Sequence, residues 1–499
     1  MPSEPLLLAR EALGQLGQLE QWIEHYELRL RATEQGVVSS VGDGIAWISG
    51  LPSAAIDEIL LFQDGSRGVV YHLGESSVGA IMLQQTQQLA AGCKVHLSKR
   101  QMSIATGDTL LGRVINPLGE VLDGGEAPRD TQHRPLDTRS PGIVERDFVH
   151  DPLYMGSKII DTLIPVGRGQ RQLIIGDDGL GRSSLAMDAI INQRGRDVYC
   201  VYVMIGQRRS SVVSTLNALK HFGAIDYTTV VVSEASALPG LSYIAPFAGC
   251  AIAEAWMYRG KDVLIVYDDL STHAHAYREL SLLLRRPPGR EAYPGDIVFL
   301  HSRLLERATC LNASCGGGSI TALPIVETQL GEIASYIPTN LISITDGQIY
   351  LSQALFQGGF RPSIDISKSV SRIGGKAQPE AIKNEASRMK LDYLQFLELE
   401  VFTRFGARPE TGLQKKLQRG RILRELLKQD RLKPVSECFN LGWLIGFNED
   451  LFDGKPLEEL QSCMDALQEQ IAASALGLDS PRKEWIEQLE AWLGIPGSG

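Results

Sequence analysis

The stretch from Leu173 to about Gln193 constrains the fold more tightly than any other part of the chain. Leu173, Ile174 and Ile175 form a short apolar run, Gly176 to Ser183 reads G-D-D-G-L-G-R-S, and Arg182 to Gln193 has helical composition. An apolar strand that turns through three glycines straight into a helix belongs to a sheet whose helices return across its faces. Glycines let backbone N–H groups turn inward, and the helix N-terminus adds positive dipole at the same spot. The phosphate-binding form of this turn is G-x-x-x-x-G-K-[ST]. Here Arg182 holds the lysine place, and Ser183 supplies the hydroxyl that would face magnesium. Taken alone, the degenerate match describes a plain strand–turn–helix equally well.

The surroundings repeat the same alternation. Val198–Ile205 reads as a strand and is followed by a helix to about Phe222. Thr229–Ser233 is a strand, another helix ends near Arg259, and Val263–Tyr267 is a fourth strand. This rhythm predicts a parallel sheet with helices on both faces and ligands beyond the strands' carboxyl ends. Val263–Tyr267 runs into Asp268 and Asp269, which is how a magnesium-facing acid is placed. Together the two elements predict a P-loop NTPase domain.

Texture divides the rest. Leu13, Leu16, Leu19, Trp22, Ile23, Tyr26 and Leu30 recur at helical spacing, so residues 1–33 are predicted to form an amphipathic helix. Pattern alone does not choose between packing on its own chain and docking on a partner. From Val37 to about Leu97, short β-branched runs alternate with Gly, Asp and Ser, the texture of a small β-barrel. After about Lys376 helical spacing takes over, as in Leu391, Leu394, Phe396, Leu397 and Val401. The expected division is 1–33, a barrel at 34–100, an α/β domain at 101–375 and an α-helical domain at 376–499.

Composition excludes several classes. Lys and Arg number 49 against 59 Asp and Glu, a net charge of −10, so nucleic acid is not the expected partner. No long apolar run reads as a transmembrane helix, and the start lacks the basic leader and cleavage site of a signal peptide. The seven cysteines contain no C-x-x-C pair. They read as reduced thiols of a cytosolic protein rather than zinc ligands. His273 and His275 are spaced i, i+2 and do not share a helix face, which argues against a metal site.

Longer motifs carry a resemblance. Leu282–Asp296 (L-L-L-R-R-P-P-G-R-E-A-Y-P-G-D), Leu300–Arg307 (L-H-S-R-L-L-E-R), Ile337–Ile349 (I-P-T-N-L-I-S-I-T-D-G-Q-I) and Ser369–Arg372 (S-V-S-R) closely resemble the F-type ATP synthase alpha subunit. So do Gly167–Asp177 (G-R-G-Q-R-Q-L-I-I-G-D) and Tyr267–Leu270 (Y-D-D-L), and the likeness runs from about residue 34 to about 435. It implies a RecA-like central domain and a ring of alternating alpha and beta subunits. Where the catalytic beta subunit carries a Glu in a Gly-Glu-Arg context, this sequence has Gly206-Gln207-Arg208, and an amide cannot act as a carboxylate base. The resemblance is therefore to alpha, whose own nucleotide does not turn over.

Further implications follow residue by residue. Arg372 would be an arginine finger lent to the beta catalytic site, with Ser369 and Ser343 either shaping that interface or serving as simple capping or turn residues. Gly176, Asp177, Asp178, Gly179, Leu180, Gly181, Arg182 and Ser183 would hold Mg-ATP or Mg-ADP, with Gln207 beside it and Ser183 and Asp268 toward magnesium. Phe356, Arg361, Pro362, Gln429 and Arg431 correspond to the adenine side; relatives usually have Gln where Arg431 stands. The loop Pro287–Pro294 would belong to the sleeve around the gamma subunit, and the N-terminal helix would help bind delta. Partners would be beta, gamma and delta and, through them, a membrane sector at the cytoplasmic face of a bacterial inner membrane. The loop departs from the family's G-D-R-Q-T-G-K-T: two carboxylates face one guanidinium, which predicts weak nucleotide binding. The rival readings are a self-sufficient catalytic hexamer, which would need the missing Lys and Glu, and a nucleotide-free scaffold that still donates Arg372.

Overall fold

The computed structural model describes residues 34–129, 131–404 and 411–493; the amphipathic segment expected over 1–33 lies outside them. Six antiparallel strands come first: β1 (Gln35–Gly42), β2 (Ile45–Ser49), β3 (Glu58–Phe62), β4 (Arg67–Leu73), β5 (Val78–Gln84) and β6 (Lys94–Gln101). They close into a barrel in the order β1-β2-β5-β4-β3-β6, so no edge is left to pair with another protein. Val38, Ile48, Leu60, Val70, Ala80, Met82 and Val95 fill the interior. β5 is buried from Val78 to Leu83. Its other face, with Ile81 and Leu83, joins the core of the next domain, and that second burial explains the loss of alternation.

The central sheet has eight strands: β7 (Val114–Ile115), β8 (Leu173–Gly176), β9 (Val198–Gln207), β10 (Thr228–Glu234), β11 (Asp262–Asp268), β12 (Ser319–Glu327), β13 (Gly347–Tyr350) and β14 (Val370–Ser371). Their order is β14-β13-β8-β12-β11-β9-β10-β7. All neighbours are parallel except β13 and β14. Period-two alternation divides the strands between two cores. Leu173, Ile175, Val201, Val203 and Ile265 face one, with Tyr243, Phe247 and Trp256 from helix α3. Ile174, Cys200, Tyr202, Leu264 and Ile325 face the other, with Leu185 and Ile190 from α1.

The central helices are α1 (Arg182–Ile191), α2 (Arg209–His221), α3 (Pro239–Met257), α4 (Leu270–Leu283), α5 (Ile297–Leu305) and α6 (Tyr336–Ile344). α3 lies close on β9 because Gly249 has no side chain; a Cβ there would collide with Val203. Past Pro379 the fold is helical: α7 (Glu380–Arg404), α8 (Thr411–Leu426), α9 (Glu437–Asn448), α10 (Leu460–Ala473) and α11 (Arg482–Leu493). Trp443 and Trp485 are fully buried among these helices, and their core runs on into the α1 side of the sheet. Among the described residues, no helix is long and apolar enough to cross a membrane.

Candidate functional site

The phosphate loop leaves the carboxyl end of β8. Gly179 (φ 75°) and Gly181 (φ 98°) take left-handed backbone, which only glycine adopts without strain. Gly181 caps α1 and Leu180 is buried beneath the turn. Asp177 faces sideways and accepts hydrogen bonds from the Thr328 hydroxyl (2.6 Å) and the Gly331 N–H (2.9 Å). Asp178 is exposed, and its Oδ1 accepts the Gly179 N–H at 2.8 Å. Arg182 is buried, with Nη2 at 3.2 Å from Glu327 and 3.5 Å from Asp178.

Oxygen donors stand beside the loop. Asp268 ends β11 and accepts the Tyr202 hydroxyl at 2.8 Å. Burial, reinforced by the Asp269 charge, pushes its carboxyl up to about 6, although hydrogen bonds from Tyr202 and Ser183 oppose the rise. A cation would relieve that penalty, and a hydroxyl beside a carboxylate is the hard-oxygen set that magnesium takes. Ser183 and Asp268 therefore fit the metal. Asp269 instead caps α4 by accepting the Thr272 N–H at 2.6 Å. The Gln207 amide, at the end of β9, points at Asp268 and donates to its backbone oxygen at 3.3 Å.

A cleft of about 690 Å³ continues from the loop to the helical domain, lined by Gly179, Gly181, Asp188, Phe356, Arg361, Pro362, Gln429 and Arg431. The Arg361 guanidinium lies 4.7 Å over the Phe356 ring. Gln429 lines this cleft, but its amide is committed to hydrogen bonds within the protein. Oε1 accepts the Lys158 N–H, and Nε2 donates to the carbonyls of Gly156 and Lys433. Lys158, buried beside it, donates from Nζ to the Leu426 carbonyl, and burial pulls its ammonium down to about 8. The cleft is thus clipped between the two domains by backbone-directed bonds.

Arg372 lies elsewhere. Ser371 pairs with Gly347 at the start of β13, and the Arg372 N–H donates to the Asp346 carbonyl. Asp346 is clamped by Arg171, whose Nη2 and Nε donate at 2.8 and 2.9 Å. This is the edge where the strands begin. At about 3.3 Å per residue, the five residues from Arg171 to Gly176 put it about 16 Å from the protein's own phosphate loop. The Arg372 side chain is exposed and has no hydrogen bond or ion pair among the described residues. Ser369 is buried: its hydroxyl donates to the Asp365 carbonyl and accepts the Tyr350 N–H. Ser343 is exposed on α6 and donates to the Thr339 carbonyl.

The loop residues, Gln207 and Asp268 therefore converge, with Phe356, Arg361 and Gln429 at the far end of the same cleft, while Arg372, Ser369 and Ser343 do not reach it. Sequence reasoning missed Glu327 and Tyr202. Glu327 ends an apolar strand just as Asp268 does, and that shared pattern is the signal that marks it. His273 and His275 part company: His273 is fully buried against His301 at 3.2 Å, and exposed His275 stacks on Tyr293.

Family models match all three regions. Residues 33–97 match the beta-barrel domain of the ATP synthase alpha/beta family, 156–371 match its nucleotide-binding domain, and 378–481 match its C-terminal domain. The sequence is 59% identical over 474 residues to ATP synthase subunit alpha 1 of Legionella pneumophila (strain Paris), covering 95% of this protein and 97% of the relative. It is 56% identical over 478 residues to ATP synthase subunit alpha 1 of Hahella chejuensis (strain KCTC 2396), covering 96% and 97%. It is 49% identical over 449 residues to ATP synthase subunit alpha of Lactobacillus helveticus (strain DPC 4571), covering 90% and 89%.

Proposed function

This chain belongs to the ATP synthase alpha/beta family as an F-type ATP synthase alpha subunit, and from that premise we propose that it is a non-catalytic alpha subunit lending Arg372 to a neighbouring beta subunit. The carrying observation is Arg372 itself, an exposed guanidinium, unpaired among the described residues and held at the sheet edge away from its own phosphate loop. A guanidinium presented by a neighbour stabilises charge on a transferring phosphoryl group and contributes roughly 10³–10⁵ in rate, or about 4–7 kcal/mol of barrier. The Arg171–Asp346 clamp and the internal bonds of Ser369 hold the backbone that presents it, and Ser343 lies on the adjoining helix.

At the subunit's own site, Gln207 has no carboxylate with which to activate water, so nucleotide that binds there is not hydrolysed. Ser183 and Asp268 would hold magnesium, which when bound neutralises phosphate charge. Phe356 and Arg361 would flank the base, and the N–H groups of Gly179 to Ser183 would face the phosphates. Asp178 opposes them with a like charge; its side chain is 90% exposed, so solvent screening holds the repulsion to about 1–2 kcal/mol. Binding of Mg-ATP or Mg-ADP is therefore weak.

In the ring of three alpha and three beta subunits, the 287–294 loop would face the gamma shaft and the N-terminal segment would help bind delta. Rotation would couple nucleotide turnover to ion flow through a membrane sector, with the ring at the cytoplasmic face of a bacterial inner membrane. The test is Arg372→Ala in the assembled alpha–beta complex. Assembly should persist by size-exclusion chromatography while steady-state hydrolysis falls by about 10³-fold or more. Arg372→Lys should recover little, because a point charge does not reproduce a planar fork. Near-normal turnover in assembled Arg372→Ala complexes would reduce Arg372 to a structural residue.

A further inference from the structure

The phosphate loop carries its own anions. Arg182, only 8% exposed, is clasped through Nη2 by Glu327 on one side and Asp178 on the other. Its Nη1 is buried without a hydrogen-bond partner among the described residues. Asp178 Oδ1 also takes the Gly179 N–H, the kind of loop donor that phosphate oxygens use. One guanidinium nitrogen and one loop N–H are thus taken by carboxylates of the protein itself. The two halves of the clasp differ. Asp178 is 90% exposed and can swing into solvent. Glu327 ends β12, where its N–H donates to the Ser271 hydroxyl, so its backbone is fixed.

We propose that this clasp is an autoinhibitory contact, in which Asp178 and Glu327 act as an internal surrogate for nucleotide phosphate. A magnesium-bound nucleoside di- or triphosphate enters only by displacing them, which frees Nη2 of Arg182 and the Gly179 N–H for phosphate oxygens. The inference rests on the alpha-subunit reading and extends it from weak binding to the residues that cause and release it.

The experiment titrates the purified full-length subunit with a fluorescent ADP analogue in excess magnesium. Asp178→Asn and Glu327→Gln are each expected to tighten binding about tenfold, and the double variant further. Asp178→Glu, which keeps the charge, should stay as weak as the wild type. Asp178 is a surface residue, so Asp178→Asn carries the test even if Glu327→Gln melts early. An Asp178→Asn subunit that binds no tighter than wild type, or an Asp178→Glu subunit that binds as tightly as Asp178→Asn, would overturn the proposal. Failure of the alpha-subunit reading shows separately, as unchanged turnover in Arg372→Ala complexes.

Discussion

His273 and His301 meet in the interior, Nδ1 to Nε2, while His273 Nε2 lies 3.1 Å from the Tyr243 carbonyl. Burial pushes His273 down to about 4 and His301 well below its ordinary value, so both are neutral in the fold. An unfolded histidine titrates near 6.5. Between those values the unfolded state binds the extra proton. The contribution is therefore complete above about pH 6.5 and drains away as pH falls toward 4. Burial raises Asp161 and Asp188 to about 7 and Asp268 to about 6. These work in the opposite sense, gaining stability as pH falls through the same window, so only a difference against a variant isolates the histidine. Between pH 7 and 4.5, wild type should lose about 2–3 kcal/mol more than His273→Gln in urea unfolding. Equal losses would show that His273 does not titrate between the two states.

At the scale of elements, Glu254 on α3 joins three segments. Its carboxylate accepts from Arg307, at 2.7 and 2.8 Å, from Arg134 and from the Thr138 hydroxyl, while Arg307 also donates to the Leu136 carbonyl. Glu254 and Arg307 are both fully buried. Burial alone raises a carboxyl, but the Arg307 hydrogen bonds and charge overcome it and hold Glu254 below the ordinary Glu value. Breaking such a pair strands a buried charge, so Glu254→Gln should cost about 3–5 kcal/mol by chemical denaturation. A cost below about 1 kcal/mol would mean that packing, not the ion pair, ties α3 to the 134–138 segment. Helix and strand positions were largely legible in the sequence, since Leu173–Ile175 and Val263–Tyr267 announce strands by apolar runs. The partners of Glu254 were not legible, because an acid inside an otherwise apolar helix shows no sign of what neutralises it.

For the whole molecule, the proposed function implies dependence on a neighbour. Gln207 lacks a base, and Arg372 is presented away from the subunit's own loop. The purified subunit should hydrolyse ATP negligibly in a coupled assay, with turnover appearing after mixing with the beta subunit. Hydrolysis by the isolated subunit at the rate of the assembled complex would restore the reading of a self-sufficient hexamer.

The sequence by itself determined the local machinery: the Gly176–Ser183 turn, the acid at the end of Val263–Tyr267, the barrel, and the family to which the long motifs point. The turn, the acid and the barrel's strand texture are legible because each shows in neighbours within a few residues, through backbone conformation and hydrophobic period; the barrel's closure is not, since β1 pairs with β6. Tertiary structure decided what each side chain is free to do. Arg182 meets Glu327 across 145 residues, and the Gln429 amide meets Lys158 across 271. Pairings of that span arise only when the sheet order and the domain interface bring strand ends together. The same topology put Arg372 at the opposite edge from its own phosphate loop. A guanidinium reads the same in any sequence; which edge of the sheet it occupies follows from β14 pairing antiparallel to β13 at the edge where the parallel strands begin.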